Sequence, residues 1–173
     1  MEWAGWSGQS DVTEGLVRLF EDGHYMAATV ILAAFVEYQL SGLLWGVLVD
    51  SGLSKEKAAL IANGSLPRGE AVRMVRDLLG RRITNLVFPM RNAVAHGKAF
   101  GLPDHTFVPA LEQQLLSIQE WVRSVSDGRT PSGYTYTELD RWILSMQQWV
   151  AWMLGRWRTH RATSPPSTVH DPH

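Results

Sequence analysis

Six histidines occur in the chain, and His96 alone stands in a run with other groups that could share its chemistry: Arg91-Asn92-Ala93-Val94-Ala95-His96-Gly97. On a helix, Asn92 and His96 are about 40° from alignment, so the Asn92 amide can reach the imidazole and fix its tautomer. Arg91 lies about 140° round from His96, so the two groups flank one edge and do not stack on one stripe. A guanidinium and an imidazole over a shared cleft supply charge stabilisation at phosphorus and a proton carrier near neutral pH. Phosphodiester cleavage needs both. Pro89 either kinks a helix here or opens a new one. In the second case the free amides of the first turn add an anion-binding end near Arg91.

Other chemistries lack their residues. The chain has no cysteine, which excludes disulfides, thiolate zinc sites, iron–sulfur clusters and thiol catalysis, and fits a reducing, cytoplasmic location. No Gly-rich phosphate loop, Walker sequence or paired metal carboxylate occurs, so neither a metal nor a nucleotide cofactor is expected. His170 and His173 flank a proline in a terminal segment that cannot fix metal geometry. His105 reads as surface decoration beside the motif. Glu37, inside an apolar helix, either orients Arg91 or His96 or forms a buried ion pair with a nearby arginine.

The net charge of −1 hides an asymmetry. Residues 1–50 hold one base, Arg18, against seven acids. From Arg68 to Lys98 there are seven bases (Arg68, Arg73, Arg76, Arg81, Arg82, Arg91, Lys98) against two acids (Glu70, Asp77). Such an excess either attracts a polyanion or forms a solvated helix face with salt bridges back to the acidic first third. On the first reading Arg73, Arg76, Arg81, Arg82 and Lys98 are sequence-independent phosphate contacts.

The elements that must position these groups are helical. A first helix is predicted from near Asp11 to Glu21, with Val12, Leu16, Leu19 and Phe20 inward and Asp22-Gly23 as its stop. A second, Tyr25 to Val49, is apolar nearly all round, which marks a helix buried by neighbours or by a second subunit. Glu37 breaks the apolar stretch that contains it into uncharged runs of 14 residues (Gly23 to Val36) and 12 (Tyr38 to Val49), short of the ~20 that span a bilayer. The N-terminus has acids but no Lys or Arg, so it lacks the start of a signal peptide, and neither export nor membrane insertion is expected. A third helix follows Ser54 to about Asn63-Gly64. A fourth, Arg68 to Leu79, places Ala71, Val72, Val75, Leu78 and Leu79 inward, with Gly80 closing it. Then come the motif segment, which Gly97 and Gly101-Leu102-Pro103 release into a loop, and a helix from Pro109 through Val125. Thr135 and Glu138 match a capping box before a stripe of Leu139, Trp142, Ile143, Met146, Trp149, Val150, Met153, Leu154 and Trp157. That spacing places three of the eight tryptophans in the core rather than on a base-stacking surface. The sum is an all-α bundle of six or seven helices over residues 1–161 with a flexible tail over 162–173.

The motif run is similar to the R-x-x-x-x-H signature of HEPN domains, in which the position after the arginine is usually polar, as Asn92 is. The long apolar helix around Ile31-Leu32-Ala33-Ala34-Phe35-Val36-Glu37-Tyr38-Gln39-Leu40 and the lead-in Arg82-Ile83-Thr84-Asn85-Leu86-Val87 also look like the helices that pack around that motif. As architecture the resemblance covers about residues 11–157, and its specific part is the motif. It implies a metal-independent endoribonuclease acting as a homodimer, with two facing motifs forming one cleft. Arg91 would hold the scissile phosphate, His96 would act as general base or acid, Asn92 would tune His96, and the RNA 2′-hydroxyl would be the nucleophile. Small stand-alone members of the family are often toxins or antiviral-defence effectors, which implies an antitoxin or inhibitor protein as a further partner. Toxins silenced by a nucleotidyltransferase antitoxin carry a tyrosine two residues after the histidine. Lys98 stands there instead, so the acceptor for that modification is missing. Two other readings stay open, a binding module that holds RNA, a nucleotide or a partner without cutting, and an assembly domain with aromatic faces. The intact Arg-Asn-His set favours the enzyme.

Overall fold

The computed structural model describes residues 5–65, 73, 88–99, 101–127 and 137–164. They form α1 (Gly5–Glu21), α2 (Tyr25–Asp50), α3 (Lys55–Leu60), α4 (Phe88–Ala95), α5 (Val108–Ser126) and α6 (Glu138–Thr163). No strand occurs among the described residues, so the chain is all-helical as its patterning predicts. The predicted fourth helix, with its inward residues and Gly80, lies outside the described residues except for Arg73, which is helical and exposed.

Two contacts fix the direction of the longest helices. At the end of α2 the Asp50 carboxylate accepts the backbone N–H groups of Glu138 and Leu139, each at 3.2 Å. At its start the Tyr25 hydroxyl meets His160 Nε2 at 2.9 Å. Helices α2 and α6 are therefore antiparallel along their whole length, with the Phe35 and Trp149 rings stacked midway at 4.4 Å. Helix α1 runs parallel to α6, because Trp149 Nε1 donates to Thr13 Oγ1 at 2.9 Å and Arg156 pairs with Glu21 one stretch further on. Helix α5 is antiparallel to α6. Its end receives a 2.9 Å bond from Gln147 Nε2 to Ser126 Oγ, while the 3₁₀ turn Asp104–Phe107 before it brings Asp104 to the start of α2, where Oδ1 accepts from Met26 N at 3.1 Å.

The core follows the stripes. All nine apolar positions assigned to α6 are buried, Trp157 to 1% exposure. On α1 the buried face is Thr13, Leu16, Val17 and Phe20, while Val12, predicted inward, is 41% exposed. The hydrogen bond to Trp149 draws Thr13 inward and rotates Val12 out. Helix α2 is long and apolar enough to cross a membrane by length and composition. Here it is packed among α1, α3, α4, α5 and α6.

Helix ends show where local pattern and tertiary context disagree. The capping box of α6 is not Thr135 with Glu138. Thr137 is the N-cap, its Oγ1 accepting from Asp140 N at 3.1 Å while the Asp140 carboxylate accepts from Thr137 N at 3.2 Å. Both pairs have the same spacing. Asp50 decides between them by holding the N–H groups of Glu138 and Leu139, which makes Glu138 the first helical residue. Helix α3 is capped by Ser54 as its position suggests, but it leaves α-geometry after Leu60 and finishes as a π turn, Ile61–Ser65. Helix α6 continues through Thr163, two residues past its predicted end, and residues 165–173 of the predicted tail lie outside the described residues.

Two groups make stability testable. Gln39 of α2 is 0% exposed, and among the described residues neither its Nε2 nor its Oε1 has a hydrogen-bond partner. Burying such an amide unsatisfied costs about 1–3 kcal/mol. Gln39→Met, similar in length and apolar, should leave the urea midpoint unchanged or raise it. A clear drop would show that the amide is satisfied in the native protein.

His160 sits among the rings of Phe20, Tyr25 and Trp157, with centroids 5.6–5.9 Å away. Burial foremost, then the Arg161 charge, hold its pKa below the ordinary histidine value, with Glu21 opposing them. A proton is thus bound more weakly in the folded than in the unfolded state. The neutral-ring contribution to stability is present above the unfolded value near pH 6.5 and is lost as pH falls through the lower folded value. Thermal midpoints measured down this range should fall, and His160→Gln should flatten the fall.

Candidate active site

Helix α4 carries the motif. Pro89 is its second residue, where a missing N–H breaks no intrahelical bond. Whether a helix precedes it, as the kinked alternative requires, concerns Ile83, Leu86 and Val87, which lie outside the described residues. Arg91 stands in the first turn of α4, and its side chain is outside the described set.

The end of α4 is sharply defined. Gly97 N donates to Val94 O at 3.0 Å and Lys98 N to Ala93 O at 2.8 Å. This paired closure needs a left-handed residue, and Gly97 supplies it with φ of 71°. A side chain at Gly97 would strain the turn. His96 is therefore the last residue before the chain reverses, and it is exposed. Ala93 and Val94 are half-buried, Ala99 is buried, and α4 packs on α2.

Asn92 lies one turn before His96 and is exposed as well. The bond that joins them is between backbones, His96 N donating to Asn92 O at 2.9 Å. Among the described residues no side-chain hydrogen bond links the Asn92 amide to the imidazole, so the tautomer-fixing contact expected from their spacing is not formed here. Lys98, exposed, stands two residues beyond His96. Thus Arg91, Asn92, His96 and Lys98 share one short helix and its terminal turn. Of the other expected RNA contacts, Arg73 is exposed, while Arg76, Arg81 and Arg82 lie outside the described residues. His105 is exposed in the 3₁₀ turn. Among the described residues no three of His, Asp and Glu converge so as to hold a metal ion.

A concavity apart from the motif, unforeseen from sequence, opens between α2, α3 and α6. Its volume is about 630 Å³, and Tyr38, Trp45, Lys55, Arg141 and Trp142 are among its lining. A signal for it exists in the aromatic-glycine-aromatic series Tyr38, Gly42, Trp45, which shares one helix face. The charged rim comes from elements distant in sequence and leaves no local pattern.

Compared with family models, curated proteins and solved structures, the chain matches none.

Proposed function

We propose that the chain is a metal-independent endoribonuclease of the HEPN type, acting in a cleft shared by two copies, as a toxin or antiviral-defence effector. The observation that carries this reading is the placement of His96. It is exposed at the closed end of α4, with exposed Asn92 one turn before it and Arg91 on the same helix. In the proposed reaction the RNA 2′-oxygen attacks phosphorus as its proton passes to a base, and the 5′-oxygen leaves with a proton from an acid. The products are a 2′,3′-cyclic phosphate and a 5′-hydroxyl. His96 carries one of these protons, and Arg91 offsets charge on the phosphoryl oxygens. The motif of a single copy offers one imidazole, so the second proton carrier is assigned to the motif of a second copy. Ile31 and Ala34, apolar and exposed on the helix against which α4 packs, support a surface for that copy.

The missing Asn92–His96 side-chain bond favours the second reading, a helical module that binds RNA or a partner without cutting. One experiment separates them. Purified protein with mixed RNA and EDTA should give cyclic-phosphate ends, and sedimentation at micromolar concentration should show a dimer. Cleavage that requires a divalent ion would overturn the metal-independent mechanism, and a strictly monomeric and inert protein would replace the nuclease by the binding module.

A further inference from the structure

The aromatic concavity between α2, α3 and α6 uses none of the motif residues. Its floor depends on Gly42. A Cβ there would collide with the Trp142 ring, so the ring lies directly against the α2 backbone. One turn earlier on the same helix, Tyr38 presents an aromatic ring that is 49% exposed. Trp45 forms another wall and is tied to α3 by its Nε1, which donates to the Lys55 carbonyl at 3.3 Å. The Lys55 ammonium stands 5.8 Å from the Trp45 ring centroid.

The rim sets Lys55 and Arg141 beside Glu56 and Glu138, and both cations turn to the same carboxylate. Glu138 receives Lys55 at 3.0 Å and Arg141 at 3.9 Å, and both cationic side chains are more than half exposed, at 54% and 66%. Glu138 is also fixed at the first turn of α6 by the Asp50 cap. One carboxylate between two exposed cations leaves donor capacity for an incoming anion. Aromatic walls favour a flat ring, which stacks on them at little conformational cost. Glu56, exposed on the rim, makes no ion pair with either cation and would favour an amine instead. The void exceeds what a bare ring fills and suits a ring with a substituent.

We propose that this pocket binds a planar aromatic ring bearing an anionic group, with the ring against Tyr38, Trp45 and Trp142 and the anion at Lys55 and Arg141. The test is calorimetric titration of the full chain with indole-3-acetate, tryptamine and adenosine 5′-monophosphate. The first two differ in charge on the same ring, and the third distinguishes a nucleotide from a simple aromatic acid as the source of the chemistry. At least one of the two anions should bind, tryptamine about tenfold or more weaker. Lys55→Gln combined with Arg141→Gln should erase that preference, and Tyr38→Ala should weaken the anion by a similar factor. All three positions are solvent-exposed, so unchanged thermal midpoints would show that the variants fold. The proposal is overturned if neither anion binds, if tryptamine binds as tightly, or if the variants bind like the parent. Because no readout involves RNA cleavage, its outcome is independent of the nuclease reading.

Discussion

Replacing His96 with alanine is expected to reduce RNA cleavage by about 100-fold or more while leaving RNA binding near that of the parent. On the proposed function the His96 imidazole is the proton carrier of the motif run, whereas phosphate attraction is assigned to Arg91 and Lys98. Arg91→Ala should weaken both binding and cleavage, since it removes charge from the ground state and the transition state alike. His96 is exposed and its backbone closes α4 whatever its side chain, so His96→Ala should unfold within about 1 kcal/mol of the parent. Gel-shift binding, cleavage assays and urea melts on the three proteins check this together. If His96→Ala melts several kilocalories earlier, or if wild type and variants are equally inert on every RNA tried, the catalytic role of His96 is wrong.

The largest stability effect is expected at Trp157. It is 1% exposed and meets Phe20 edge-on at 5.5 Å and Tyr25 at 6.0 Å, joining α6 to both helices of the α1–α2 corner. Trp157→Ala should cost about 3–5 kcal/mol, the sum of lost burial and the cavity left behind. Among the described residues the indole Nε1 has no hydrogen-bond partner, so the residue contributes as a ring and not as a donor. Trp157→Phe should therefore recover much of the loss, because it keeps aromatic contact and removes an unsatisfied N–H. Denaturant midpoints on both variants test this, and an equal loss in both would mean that the nitrogen is bonded in solution.

Legibility from sequence followed the range of the interaction involved. The α6 stripe from Leu139 to Trp157 was readable because burial along a helix repeats every three to four residues. Gly97 was readable as the end of the motif segment because a left-handed closure selects its residue locally. Thr137 was not, since a distant aspartate chose it over Thr135. Thr13 was not either, because a hydroxyl on a buried face makes sense only once Trp149 is beside it. At the candidate site the order Arg91, Asn92, His96 and its helical setting were legible. The orientation of the Asn92 amide was not, because exposed side chains are not held by backbone periodicity. The aromatic pocket was missed because Tyr38, Lys55 and Arg141 come together only through the antiparallel pairing of α2 with α6.

That pairing also bears on how the protein is made. The contacts closing its two ends join residues 88 and 135 positions apart, so α2 leaves the ribosome long before its main partner exists. At ordinary elongation rates the wait is about 5–20 s. During it the most apolar helix of the chain, one long enough to be mistaken for a membrane span, has only α1 and then α3, α4 and α5 as they emerge in turn, and the face that α6 will cover stays open. Nascent α2 is thus a natural client for holding chaperones, and slowing translation between α2 and α6 should increase aggregation of the chain without altering the stability of the finished fold.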